Sequence, residues 1–173
     1  MKNNNRTLLI SLLIVFNIIL DQVSKYWVRL HVAKGSNTEI FGDYLTLHNV
    51  ENTGAFLGLG SDFNPILKII LLNVLPVIVL TLVLIHIFRD KNLDRFSLVG
   101  FACIIGGGIA NIYDRIAYGQ VTDFLHIDLG GVFRTGIFNL ADVSVMVGMG
   151  CLIVGNFKKK KPEKPKKEEI INA

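Results

Sequence analysis

The chain has 173 residues, 51% of them hydrophobic and only 18% charged. Its mean hydropathy is +0.48, whereas soluble domains carry more charge than this. The composition therefore excludes an ordinary soluble domain, and no nucleic-acid partner is expected.

The hydrophobicity falls into four blocks. The first covers residues 7–30, interrupted by Asp21, Lys25 and Arg29. The second covers 65–88, with Lys68 as its only charge before the end. The third and fourth cover 96–113 and 137–157. At 1.5 Å per helical residue, a hydrocarbon core of about 30 Å needs about 20 residues. Backbone polar groups in lipid must be satisfied within the chain, so the blocks are predicted to be helices. The expected fold is an all-α membrane protein with four transmembrane helices, one domain over residues 1–157. Residues 1–20 also look like the charged and apolar parts of a secretory signal. Asp21-Gln22-Val23-Ser24-Lys25 follows in place of a small-residue cleavage site, so the segment is read as a retained span.

Between the first two blocks, Thr38–Val50 mixes apolar and polar residues partly in alternation, which predicts short strands. Asn52-Thr53-Gly54 supplies turn chemistry after them. A small extracytoplasmic β element between helices 1 and 2 is expected. The segment 158–173 is rich in lysine and carries Pro162 and Pro165. It is predicted to be a disordered cytoplasmic tail, with lysines able to rest on membrane phospholipids.

Twelve of the eighteen lysines and arginines gather on one side: Lys2, Arg6, Arg89, Lys91, Arg95 and seven lysines between 158 and 167. The positive-inside rule makes both termini cytoplasmic and turns the loops 31–64 and 114–136 outward.

A charged group deep in a span costs at least about 2.5–3.5 kcal/mol, so each needs a reason. Here the polar residues converge toward the outward ends of the spans: Asp21, Lys25, Asn111, Asp114, Arg115, Asp123, Asn139 and Asp142. Asp21 and Lys25 are spaced i, i+4 as a favourable pair. Asp114 adjoins Arg115 at a helix end, where a cap or charge pair fits. Asp123 and Asp142 have no Lys or Arg within four residues and sit among apolar neighbours. Two such carboxyls held close together share one proton. That state suits a peptidase in which one carboxylate activates water and the other protonates the substrate carbonyl. Ion transport uses intramembrane acids too, so the pattern alone leaves both open. A transporter would place polar groups along a path through the membrane, and a plain scaffold would leave the acids unexplained.

Other chemistries fit less well. Ser24 and Lys25 are adjacent on a helix and do not face each other. His31, His48, His86 and His126 are dispersed and lack zinc-protease spacing. His126 lies near Asp123 in sequence but reads as an interfacial loop residue. Cys103 and Cys151 read as buried apolar residues, with no disulfide or metal expected. Gly106-Gly107-Gly108 lacks the context of a phosphate loop. Ala102, Gly106 and Ala110 form a small face for close helix packing.

Taken together, the chain resembles the bacterial lipoprotein signal peptidase family, signal peptidase II. Five motifs carry the resemblance in order: Asp21-Gln22-Val23-Ser24-Lys25; Asn52-Thr53-Gly54-Ala55-Phe56; Gly106-Gly107 through Asn111-Ile112-Tyr113-Asp114-Arg115; Val121-Thr122-Asp123-Phe124; and Phe138-Asn139-Leu140-Ala141-Asp142. Ala110 departs from the glycine expected there. The resemblance implies an inner-membrane endopeptidase that cuts diacylglyceryl-modified prolipoproteins before the lipidated cysteine. It implies catalytic Asp123 and Asp142. Asp21, Lys25, Asn52, Gly54, Asn111, Arg115 and Asn139 are implied to line or support the site, with Asp114 as a structural acid. No cofactor or metal is implied, and the enzyme is expected to be monomeric.

Overall fold

The computed structural model describes residues 3–55 and 58–159. The predicted tail beyond Lys159 lies outside the described residues. In chain order the elements are α1 (Asn3–His31), β1 (Asn37–Phe41), β2 (Leu45–Asn52), α2 (Pro65–Arg89), α3 (Arg95–Tyr118), β3 (Val121–Ile127) and α4 (Leu140–Lys159). All four helices are long and apolar enough to cross a membrane.

α3 is the central helix. Of its most apolar window 56% is buried, against 11%, 6% and 22% in α1, α2 and α4. It packs on all three of the others. Asp94 caps its start by accepting a hydrogen bond from the Ser97 N–H at 3.0 Å. Gly119, at φ 75°, ends it in the left-handed conformation.

The triple glycine explains how one helix serves three partners. A Cβ on Gly106 would stand 2.7 Å from the Asn17 Cβ of α1. A Cβ on Gly107 would collide with the Ala141 carbonyl of α4. One on Gly108 would stand 2.7 Å from a Leu80 methyl of α2. Each glycine therefore faces a different helix, and in lipid such close approach is what drives helix association.

α2 is peripheral and not uniformly wound. Ile69–Val74 forms a π-helical turn directly before Leu75-Pro76. Pro76 cannot donate a hydrogen bond, and its ring would strike the carbonyl four residues earlier in a normal turn. The wider winding removes that collision.

The sheet has three antiparallel strands in the order β1-β2-β3. The first two match the predicted β element. β3 comes from the loop after α3 and was not expected, because Val-Thr-Asp-Phe-Leu-His-Ile shows no clean alternation. Its partners lie about seventy residues earlier: Val50 faces Asp123 and Asn52 faces Val121. Phe138 then exchanges two 2.8 Å backbone hydrogen bonds with Leu125. The chain is extended there, so α4 begins at Leu140 and not at 137. α3, conversely, runs five residues past 113.

At the opposite end of the bundle, Arg6 is 7% exposed and donates to the Ile87 and Asp90 carbonyls at 2.5 and 2.7 Å. These are carbonyls at the end of α2, where a cation is favoured. Arg6→Ala is expected to destabilise the bundle by about 1–3 kcal/mol, read as a lower unfolding temperature in detergent. An unchanged melting curve would contradict this clamp.

Candidate active site

The predicted polar residues meet at the sheet end of the bundle. Asn139 precedes α4 and caps it: its Oδ1 accepts from the Asp142 N–H at 2.9 Å, and Asp142 Oδ2 accepts from the Asn139 N–H at 3.2 Å. This reciprocal cap fixes the first turn of α4 and the carboxyl on it. The Asn139 side-chain amide then donates to Asp123 Oδ1 at 2.6 Å. One residue thus holds both acids.

Asp123, on β3, is 4% exposed. Its second oxygen accepts from Asn52 Nδ2 at 2.8 Å. Asn52 also accepts the Gly54 N–H at 2.8 Å, so its side chain ties the turn after β2 to the acid. Burial, the largest influence, lifts the Asp123 carboxyl to about 6. The Asn52 hydrogen bond opposes this, and the negative charge of Asp142 adds to it. Asp142 Oδ1 accepts from Asn111 Nδ2 at 2.9 Å, while Asn111 Oδ1 accepts from Lys25 at 2.8 Å.

Lys25 is fully buried. It lies 2.7 Å from Asp21 and 3.0 Å from Asp114, both also fully buried. Arg29 reaches Asp114 at 3.0 Å and donates to Thr122 Oγ1 at 2.8 Å. The expected Asp21–Lys25 pair is therefore present. Asp114 turns away from its sequence neighbour Arg115 and toward α1, because consecutive helix residues point in different directions. Asp21 also accepts the Ala141 N–H of α4 at 2.8 Å. These contacts tie α1, α3 and α4 behind the two acids.

Arg115 points toward the turn after β2 and donates to the Gly54 carbonyl at 2.8 Å. All nine predicted positions, together with Asp114, belong to one connected neighbourhood. His126 does not reach the acids; it meets His48 edge-on at 5.8 Å on the sheet. Sequence reasoning passed over Arg29 and Gln22, whose side chains both reach Asp114. Asp21, Lys25 and Arg29 repeat every fourth residue, and that shared helix face was a legible signal for Arg29. Gln22 offered none.

Two grooves flank the acids. An apolar groove of about 410 Å³ is lined by Phe133, Phe138, Asp142, Val143, Met146 and Val147 among others. A more polar groove of about 290 Å³ is lined by Asn52, Thr53, Ser61 and Asp123 among others. Gly136 lines both, so the grooves adjoin at the acids. Among the described residues no cluster of side chains suits a metal ion.

Comparison with known proteins gives a consistent picture. The family model for signal peptidase (SPase) II matches residues 13–158. A lipoprotein signal peptidase of Borrelia duttonii (strain Ly) is 38% identical over 160 residues, spanning 88% of this chain and 92% of that protein. One from Clostridium novyi (strain NT) is 32% identical over 137 residues, spanning 79% and 89%. A solved bacterial membrane enzyme superposes with a TM-score of 0.79 at 27% identity, covering 91% of this chain and 92% of the other.

Proposed function

The chain belongs to the signal peptidase II family of aspartic proteases, and from that premise we propose that Asp123 and Asp142 are the catalytic pair that removes signal peptides from lipid-modified prolipoproteins. The observation that carries the assignment is Asn139, which donates to Asp123 through its side chain and to Asp142 through its backbone. A buried carboxyl (Asp123) and a half-buried one (Asp142) fixed in one neighbourhood share a proton. The ionised member takes a proton from water as the water attacks the scissile carbonyl. The protonated member donates to the carbonyl oxygen, and collapse of the tetrahedral intermediate returns a proton to the leaving amine. Asn52, Asn111 and Asn139 keep both carboxyls in place through these steps. Asp21, Lys25, Asp114 and Arg29 anchor the framework behind them, and Arg115 holds the Gly54 turn.

The grooves support a division of the substrate. The apolar groove beside Asp142 suits the acyl chains of a lipidated cysteine, which stay in the bilayer. The polar groove beside Asp123 suits peptide. The distribution of basic residues supports an inner-membrane protein with both termini cytoplasmic and the site near the outer interface. The lysine-rich C-terminal end of the chain is then on the cytoplasmic side, and the enzyme works as a monomer among membrane phospholipids.

The test is a cleavage assay in vesicles on one precursor prepared with and without its diacylglyceryl group. Only the lipidated form is expected to be cut, directly before the modified cysteine, with the product identified by mass spectrometry. Val143→Trp fills the apolar groove and is expected to lower kcat/KM on the lipidated form by about tenfold, the loss of roughly 1.4 kcal/mol of acyl-chain contact. Equal cleavage of both precursors would refute the lipid assignment.

A further inference from the structure

Asn73 is unexplained by the site described above. It sits in the π-helical turn of α2, on the helix least buried by the rest of the bundle. An amide in a span needs a reason, since lipid offers it no partner. Yet its Oδ1 is buried without a hydrogen-bond partner among the described residues. Arg115 Nε is likewise a buried donor without a partner among them.

Two anchors put these groups at one level. Gly108 of α3 meets Leu80 of α2, and the helices run antiparallel. Seven residues back along α2 is Asn73, and seven forward along α3 is Arg115. Both helices also reach the turn after β2: Lys68 donates to Thr53 Oγ1 at 3.3 Å, and Arg115 to the Gly54 carbonyl at 2.8 Å. The π-helical turn packs on α3. Asn73 therefore lies level with Arg115, below the Thr53–Gly54 turn, whose Thr53 lines the polar groove.

The acceptor and the donor match one peptide group, which carries an N–H and a C=O. Peptide bonds in lipid are normally satisfied inside a helix. A segment that is to be cut must be extended at the scissile bond, which frees several such groups at a depth where water is scarce. Each unpaired group there bears its full desolvation cost, so an enzyme working there gains by supplying partners. We propose that Asn73 and Arg115 form a subsite for one backbone peptide group of the substrate, Asn73 Oδ1 accepting its N–H and Arg115 Nε donating to its carbonyl. This rests on the peptidase assignment above and adds Asn73 to the groups that contact substrate.

The test is an amide-to-ester scan. A set of lipidated precursor peptides is made in which one amide at a time becomes an ester, deleting a single N–H. Each is assayed with wild type and with Asn73→Leu, a substitution of similar size without the acceptor. Asn73→Leu is expected to cut the all-amide peptide about tenfold less efficiently. One ester position is expected to cost wild type a similar factor and to cost the variant little more. Wild-type efficiency in Asn73→Leu, or ester penalties equal in both enzymes at every position, would overturn the subsite while leaving the aspartate pair intact. Because the comparison is a ratio within each enzyme, a smaller folded fraction of the variant does not mimic the coupling. Failure of wild type to cut the all-amide lipopeptide would instead refute the peptidase assignment and the subsite with it.

Discussion

Asp123→Asn and Asp142→Asn, tested separately, are each expected to lower kcat on a lipidated precursor by at least about 10³-fold. Asparagine keeps the size of the side chain but can neither take a proton from water nor share one with its partner. Stability is expected to move by only about 1–2 kcal/mol, because the loss of one accepted hydrogen bond is offset by the loss of a buried charge. The pairing of lost turnover with a retained melting temperature separates a chemical role from a folding role. Asp62, exposed in the segment before α2, is the control, and Asp62→Asn should cut at the wild-type rate. Near wild-type turnover in either pair variant would remove the assignment.

The same pair makes a prediction about pH. Burial lifts Asp123 to about 6, and the negative charge of Asp142 adds to the shift. In the proposed mechanism the active form holds one proton between them. As pH rises through about 6 and above, that proton is lost and both acids ionise, so kcat/KM is expected to fall on the alkaline side. A profile flat from pH 5 to 9 would contradict a shared proton.

The second large effect is expected at Lys25. Its ammonium lies within 3.0 Å of Asp21, Asp114 and Asn111, with no solvent exposure. Lys25→Met keeps the length of the chain and deletes the charge. Asp114 then keeps Arg29 while Asp21 is left without a cation among the described residues, and breaking a buried pair in this way costs about 3–5 kcal/mol. Asn111 also loses the donor that orients it toward Asp142, so activity should fall with stability. Adding Asp21→Asn removes one stranded charge and is expected to restore part of the melting temperature. If Lys25→Met unfolds within about 1 kcal/mol of wild type, the buried network contributes little and this account of it fails. A double variant no more stable than the single one would show that stranded charge is not the cause.

Much of this architecture was legible before any coordinates. Spans depend on local hydropathy, and the four helices appear where the apolar blocks lie. The absence of a cation near Asp123 and Asp142 was also a local property, and it separated them from Asp21. It left transport and proteolysis both open, and the ordered motifs supplied the family. The β element was half visible: alternation marks β1 and β2, but β3 takes its register from a strand some seventy residues away. Asp114 was assigned beside Arg115 from adjacency alone, whereas its partners are Lys25 and Arg29 on another helix.

The four spans and the lack of a Lys or Arg within four positions of Asp123 or Asp142 were determined by the amino-acid sequence itself, because both follow from residues within a few positions of one another. The tertiary structure alone decided that Asn139 joins the two acids, that Gly106, Gly107 and Gly108 face three different helices, and that Asn73 lies level with Arg115. Each of these is a contact between segments far apart in the chain. Such contacts are selected by how close the helices can approach and by the cost of leaving a polar group unpaired in lipid, and neither quantity is written in any local run of residues.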